Sequence, residues 1–204
     1  MVDDILSPFH PSKNHVRQLA RVLASAFREY PSYQATIPSE TRRARLAVLF
    51  EVITTYAIRY GIVLAPSETL EGVLLALPWE RGGISSGRML RCGALRIPFA
   101  LGFNFIRRQD IINRVQEEMH AALAPPVHTY LWALAVDPSL QGKGIGGKLV
   151  RILLSMLADQ GRPCYLETVK PENVKIYAHL GFRIVGTHEF TSLGFTTTSM
   201  LWDG

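Results

Sequence analysis

Four glycines within six residues form the part of the sequence best suited to hold an anion. Gly142, Gly144, Gly146 and Gly147 follow the apolar segment YLWALAV, which ends at Val136. Glycines leave the backbone amides uncovered, and the first amides of a helix have no intrahelical partner and lie at the positive end of its dipole. The stretch therefore predicts a strand, a glycine-rich turn and a helix start that bind a phosphate or pyrophosphate group.

Two common phosphate-binding patterns fit these glycines only in part. The dinucleotide pattern G-x-G-x-x-G is present and Glu167 lies about 20 residues further on, but DPSLQ separates the strand from the first glycine. Too little chain follows for the second half of a doubly wound sheet, so a Rossmann-type protein is a remote alternative. The pattern G-x-x-x-x-G-K ends at Lys148, but Leu149 stands where a Ser or Thr must hold Mg²⁺.

A third pattern, Q-x-x-G-x-G, begins at Gln141 after a strand that ends in VDP. The segment VDPSLQGKGIGGKL, followed by YLETVKPENVKIYAHLGF, resembles the acetyl-CoA-binding core of the GNAT superfamily of N-acetyltransferases over about residues 129–182. The segment AFREYP, a predicted hairpin and the length also resemble the branch around puromycin N-acetyltransferase. The resemblance implies transfer of an acetyl group from acetyl-CoA to an amine by direct attack.

The resemblance also implies which residues contact the coenzyme. The central strand should splay from the strand at residues 165–167, leaving unpaired backbone groups for the pantetheine arm. Asn173 should lie near that arm, and the glycine turn should contact the pyrophosphate. The implied set is Leu134, Ala135, Val136, Gln141, Gly142, Lys143, Gly144, Ile145, Gly146, Gly147, Asn173 and Tyr177.

Two residues are the candidates for proton transfer. Tyr177 lies four residues after Asn173 on the same predicted helix face, and the resemblance implies that it protonates the departing thiolate. A phenol with an ordinary pKa near 10 is protonated at neutral pH and can donate. Glu167, which ends a predicted strand, is the candidate base for the amine; a water chain is the alternative, and a solvated or ion-paired glutamate is the competing interpretation. A backbone amide near residues 134–136 is expected to stabilise the oxyanion.

The acceptor site is predicted between the first two helices and the last hairpin. Phe27, Tyr30 and Tyr33 supply apolar area and hydroxyl groups there, as does the hairpin around residues 190–195. A small-molecule amine is the predicted acceptor. A protein amine and a non-catalytic coenzyme A-binding module stay open as alternatives.

The spacing of apolar residues predicts one mixed α/β (α+β) domain over residues 1–204. Its elements are helices, a hairpin, more helices, and then strand, helix, strand, helix and two strands. The GNAT resemblance implies a mostly antiparallel central sheet with splayed central strands, flanked by helices. The acetyl-CoA core is predicted at about residues 127–182. Residues 81–126, rich in arginine, are predicted to form a helical insert, either a mobile acceptor-binding lid or two surface helices.

The composition argues against several classes of binding partner and cofactor. The net charge of +5 suits an anionic ligand, but no long Lys/Arg block indicates nucleic acid, and no apolar run of about 20 residues indicates a membrane span. Two cysteines without a CxxC pattern predict reduced thiols, and the six histidines show no spacing typical of metal ligands. We therefore expect a cytoplasmic protein, monomeric or homodimeric, with no metal, no membrane and no nucleic acid partner.

Overall fold

The computed structural model describes residues 9–79 and 83–204. Residues 81 and 82, at the start of the predicted insert, lie outside the described residues.

Three helices form the N-terminal part of the molecule. Helix α1 spans Val16–Ala26, the short α2 spans Pro31–Gln34, and α3 spans Ser39–Tyr60. Apolar residues at helical spacing on α1 and α3 bury against each other, including Leu19, Leu23, Leu46 and Phe50. Pro31 occupies the start of α2, where its missing N–H costs nothing. The predicted aromatic connector between the two long helices therefore contains a helical turn.

A six-stranded mixed sheet forms the centre of the molecule, with strand order β1-β2-β3-β4-β6-β5. Strands β1 (Ile62–Leu64), β2 (Gly72–Trp79) and β3 (His128–Val136) pair antiparallel. Strand β4 (Cys164–Thr168) pairs antiparallel with β6 (Phe195–Trp202), which pairs with β5 (Arg183–Phe190). Among the strand pairs of the described residues, β3 and β4 alone run parallel. The predicted fold class, a single mixed α/β domain with a mostly antiparallel sheet, is confirmed.

The two central strands separate after a short contact. Their pairing consists of Thr129 with Cys164 and Tyr130 with Tyr165, although both strands continue beyond these residues. On its other side β3 pairs with β2 along its length, with a register shift that places Trp132 as the extra residue of a bulge. The predicted splay is therefore present, and the bulge lies two residues before the predicted segment 134–136.

Two apolar layers cover the two faces of this sheet. Helices α1 and α3 cover one face. On the other face lie α7 (Ile145–Ala158) and α8 (Pro171–His179), whose buried residues include Leu149, Leu153 and Tyr177. A 3₁₀ turn at Pro138–Leu140 leads from β3 toward α7. Among the described residues, no helix has both the length and the apolar character required to cross a bilayer.

The described part of the insert between β2 and β3, from residue 83 onward, contains three helices where two were expected. These are α4 (Ser86–Arg91), α5 (Arg96–Leu101) and α6 (Phe103–Leu123). Gly102, with φ of 83°, separates α5 from α6. Cys92, Ile97, Leu101 and Phe105 bury into the layer formed by α1 and α3, so the insert is packed against the domain.

Candidate active site

A cleft of about 1800 Å³ lies where β3 and β4 separate. Its walls come from the α1–α2 connector, the ends of β2, β3 and β4, the insert, the glycine turn and α8. Both apolar layers contribute to it, because the gap between the strands interrupts the sheet. The cleft therefore gives access to the middle of the sheet from both of its faces.

The glycine turn has the backbone geometry that its composition predicted. Gly142 and Gly144 both have φ of 79°, in the left-handed region that favours glycine. Gly144 is the N-cap of α7, so the amides of the following residues begin the helix without intrahelical partners. A Cβ on Gly146 would lie 3.4 Å from the side chain of Leu134, an ordinary van der Waals distance, so the start of α7 packs against β3. The turn thus presents uncovered amides at the positive end of a 14-residue helix.

The separated strands provide a second set of backbone groups. Beyond Tyr130, β3 pairs only with β2, and beyond Tyr165, β4 pairs only with β6. Backbone groups of Leu134, Ala135 and Val136 on the β4 side can therefore pair with an extended ligand that lies along the gap. These three residues line the cleft, as does Gln141.

Glu167 lies on β4 within the gap, held by two phenols. The Tyr130 hydroxyl donates to Oε2 at 2.9 Å, and the Tyr165 hydroxyl lies 3.0 Å from Oε1 and 2.8 Å from Ser199 Oγ. Burial raises the pKa of Glu167 to about 7, although both phenol hydrogen bonds act in the opposite direction. Such a carboxylate exchanges a proton near neutral pH, as a general base must.

Tyr177 and Asn173 lie one turn apart on α8 and both line the cleft. Tyr177 is buried, and its ring packs edge-on against Phe182 with centroids 5.6 Å apart. Burial raises the pKa of Tyr177 above its ordinary value of 10, so the phenol is protonated at neutral pH. Asn173 Nδ2 donates to Thr168 Oγ1 at 3.2 Å, which ties the helix to the end of β4.

Tyr30 connects the N-terminal connector to the same strand end. Its hydroxyl lies 3.2 Å from Thr168 Oγ1 and accepts a hydrogen bond from the amide of Val169 at 3.2 Å. Its ring is 4.9 Å from that of Phe27 and 6.3 Å from that of Tyr33. The three residues predicted for the acceptor site therefore form one aromatic group on the cleft wall.

The structure reveals a buried histidine pair that sequence reasoning did not bring together. His120 on α6 and His128 at the start of β3 have their Nε2 atoms 2.7 Å apart, and His128 Nδ1 lies 2.5 Å from the carbonyl oxygen of Pro125. Because a carbonyl only accepts, His128 carries its proton on Nδ1, and His120 donates through Nε2. Burial lowers both pKa values, that of His120 to about 3, so the pair is neutral.

Around this pair lies an aromatic group that no sequence pattern indicated. His120 stacks on Trp79 with ring centroids 4.0 Å apart and lies 4.9 Å from the ring of Tyr130. Trp79, His120 and Tyr130 all line the cleft. The only local signals were a Trp at the end of a predicted strand and two histidines eight residues apart.

The structure brings nearly all predicted site residues to this one cleft. The exception is Lys143, which is exposed in the glycine turn and is not among the residues lining the cleft. The residues that line it are Phe27, Tyr30, Tyr33, Leu134, Ala135, Val136, Gln141, Gly142, Gly144, Ile145, Gly146, Gly147, Glu167, Asn173 and Tyr177. Over residues 9–79 and 83–204, no group of three or more His, Cys, Asp or Glu side chains is placed to hold a metal ion.

Comparison with known proteins identifies this arrangement. Residues 106–184, which contain the glycine turn, Glu167 and Tyr177, match the family model described as an acetyltransferase (GNAT) domain. The protein has the GNAT acetyltransferase fold. The match begins within α6 and ends within β5, so it includes both central strands and the cleft between them.

Solved structures of acetyltransferases are similar to nearly the whole chain and not to residues 106–184 alone. One from Corynebacterium glutamicum, described as histone acetyltransferase HPA2 and related acetyltransferase, is 22% identical with a TM-score of 0.65, covering 96% of this chain and 95% of its own. A polyamine N-acetyltransferase of Drosophila melanogaster that forms N-acetylagmatine is 17% identical with a TM-score of 0.64, covering 97% and 99%. Arylalkylamine N-acetyltransferase 2 of Aedes aegypti is 13% identical with a TM-score of 0.61, covering 96% and 97%. These likenesses show that the N-terminal helices and the insert, as well as the core, follow the GNAT fold.

Proposed function

We propose that the protein transfers an acetyl group from acetyl-CoA to a small-molecule amine. The observation that carries this proposal is the position of Glu167, a carboxylate with a pKa of about 7, in the same cleft that the glycine turn lines. The GNAT family match and the amine acetyltransferases among the structural neighbours support it.

The residues of the cleft fit acetyl-CoA in two separate ways. The uncovered amides from Gly142 to Gly147 suit its pyrophosphate, and the free strand edge at residues 134–136 suits the amide-containing pantetheine arm. When bound, acetyl-CoA supplies an acyl thioester. Arg151 on α7 lines the cleft, and Lys148 is exposed in the first turn of the same helix, so both add positive charge near the glycine turn.

In the proposed reaction the two titratable residues act at opposite ends of the transfer. Glu167 accepts a proton from the acceptor ammonium, so that the neutral nitrogen can form a bond with the thioester carbon. A backbone amide of residues 134–136 stabilises the negative charge that develops on the carbonyl oxygen. As the carbon–sulfur bond breaks, Tyr177 donates its proton to the sulfur, which leaves as a thiol. The nitrogen, now bonded to the acyl carbon, loses its second proton, which restores the Tyr177 phenol, and Glu167 releases its own proton to solvent. Placing both reactants in one gap supplies much of the remaining rate.

Direct attack on the thioester is also favoured by the environment of Cys164, which lies on the same strand as Glu167. Cys164 is fully buried on β4, and burial raises the pKa of its thiol to about 12. A thiol held in this form is a poor nucleophile. We therefore propose no covalent acetyl-enzyme.

Coenzyme binding and thiol release together test the proposal. Calorimetry should show acetyl-CoA binding, and a thiol reagent should detect coenzyme A released in the presence of small primary amines, including puromycin, as the resemblance to that branch suggests. Binding without thiol release for any small amine or protein N-terminus would support a non-catalytic coenzyme A-binding module. Release with protein amines alone would transfer the assignment to a protein acetyltransferase.

A further inference from the structure

We propose that the acceptor is a primary monoamine with an aromatic or bulky apolar body, and not an aliphatic polyamine. This inference rests on the proposed function, because it concerns the substrate class of the same cleft. Its basis is the distribution of charge and apolar surface over the described residues that line the acceptor half.

The acceptor half lies on the face of the sheet covered by α1, α3 and the insert. The other face carries α7 and α8, with the glycine turn, Asn173 and Tyr177, and is assigned to the coenzyme. On the acceptor face, Trp132 projects from the bulge of β3 and packs against the layer of α1 and α3. The two halves meet at Glu167, in the gap between the strands.

Aromatic and aliphatic side chains dominate this half of the cleft. One aromatic group is Phe27, Tyr30 and Tyr33, and the other contains Trp79, His120 and Tyr130. Aliphatic residues of the insert complete the wall: Ile84, Met89, Ile97 and Ile106. An aromatic ring inserted among these faces gains apolar burial and ring–ring contacts.

The aromatic walls are also electrically neutral. Burial raises the pKa values of Tyr30, Tyr33 and Tyr130 above their ordinary value, so their hydroxyls stay protonated. The lowered pKa of His120 keeps its imidazole uncharged. None of these groups can neutralise a second cationic centre on a ligand.

Carboxylates on the described cleft wall are arranged for a single ammonium group. Four of them line the cleft, and of these only Glu167 is partly buried. Asp110 is exposed and forms an ion pair with Arg114 at 3.1 Å, while Glu117 and Glu172 are exposed at the rim. A polyamine bound with one nitrogen at Glu167 would place another ammonium among apolar rings, where loss of its hydration is not compensated by an enclosed carboxylate. Attraction between a cation and a ring face is a smaller effect than a buried charge pair.

Matched amines test the inference directly. With saturating acetyl-CoA, kcat/KM from thiol release should be at least tenfold higher for 2-phenylethylamine and tryptamine than for putrescine and agmatine. Preference for putrescine or agmatine would overturn the inference and leave the acetyltransferase assignment intact. Acetyl-CoA binding without acetylation of any of the four amines, or of other amines, would overturn both.

Two variants distinguish the effect of a new charge on the cleft wall from the effect of the same charge elsewhere on the insert. Met89→Glu places a second carboxylate on the partly buried apolar wall, and it should shift the ratio of kcat/KM toward putrescine by at least tenfold. Phe99→Glu adds the same charge to the same insert at a side chain that is 90% exposed and does not line the cleft, so the ratio should stay unchanged. Equal shifts in both variants, or no shift in Met89→Glu when the folded variant still binds acetyl-CoA, would contradict the proposed acceptor half.

Discussion

The proposed reaction depends on pH through a single carboxylate, that of Glu167. Its raised pKa means that it is protonated, and unable to act as a base, below about 7. We therefore expect kcat/KM to rise with pH and to level off above about 7.

The raised pKa of Glu167 affects the stability of the fold in the opposite sense. The folded protein holds this proton more tightly than the unfolded chain does. The stabilisation that the proton gives to the folded state is therefore lost as pH rises from about 4.5 through about 7.

Replacement of this carboxylate should remove the acidic limb of the rate profile. Glu167→Gln keeps the size of the side chain but cannot accept the proton, so kcat/KM should fall by about 10²–10⁴-fold. Steady-state rates between pH 5.5 and 9 measure both effects. Glu189→Gln, at an exposed position of β5, is the matched control and should retain the profile. An unchanged profile in Glu167→Gln would assign the base elsewhere.

A variant of Tyr177 tests the proposed proton donation to the departing sulfur. Tyr177→Phe removes only the hydroxyl from a buried ring, so its packing against Phe182 should persist. We expect kcat to fall by about 10²–10⁴-fold with little change in acetyl-CoA affinity, because a general acid acts in the transition state. Tyr60→Phe, on α3 and outside the cleft lining, serves as control. Equal turnover in Tyr177→Phe would remove this residue as the acid.

At the scale of residues, the sequence was sufficient to predict the site residues that lie in a motif of fixed spacing. Gly144, Asn173 and Tyr177 lie in motifs with fixed spacing and all reach the cleft. The phenols that hold Glu167 were not predicted, because Tyr130 and Tyr165 become neighbours only through the register of two parallel strands. The pair of His120 and His128 was missed for a similar reason, since the loop after α6 had to turn one ring back onto the other.

At the scale of elements, the start of α7 carries the strongest single prediction. Gly144→Glu forces a side chain into a left-handed backbone position and directs a negative charge at the uncovered amides. Calorimetry should show loss of measurable acetyl-CoA binding, with the fold retained by circular dichroism.

A second glycine on the same chain provides the control for backbone strain. Gly161, beyond the other end of α7, also has a positive φ, of 56°, and a Cβ there would meet nothing within 4 Å. Gly161→Glu should therefore bind acetyl-CoA as the unaltered protein does. Undiminished binding by Gly144→Glu would place the pyrophosphate at a different part of the cleft.

The elements themselves were predicted unevenly. Apolar residues at helical spacing indicated α1, α3 and α7, and Pro163 marked the start of the strand Cys164–Thr168. The insert was harder, since its apolar residues are divided between the core and the surface. Phe99 and Phe103 are 90% and 80% exposed, whereas Phe105 is buried, so composition alone could not indicate which face of each helix packs inward.

For the whole molecule, the position of the cleft between two apolar layers makes ligand binding and global stability interdependent. A ligand that binds only the folded state stabilises it by about 2.7 kcal/mol at one hundred times its Kd. For a chain of 204 residues this corresponds to a rise in Tm of roughly 5–11 °C. Thermal unfolding with increasing acetyl-CoA measures the rise. Gly144→Glu should show no such rise, and a rise of equal size in that variant would contradict the assignment of the glycine turn.

The separation of β3 from β4 has a further consequence for the protein before it meets any ligand. Two strand edges with unused hydrogen-bonding groups are the usual starting points for aggregation, because any extended chain can add to them. Here those edges lie in the middle of the sheet, between residues 131–136 of β3 and 166–168 of β4, and walls on both faces restrict what can reach them. The fold therefore leaves these strand edges open to a slender, extended ligand, while the walls of the cleft prevent other polypeptide chains from pairing with them.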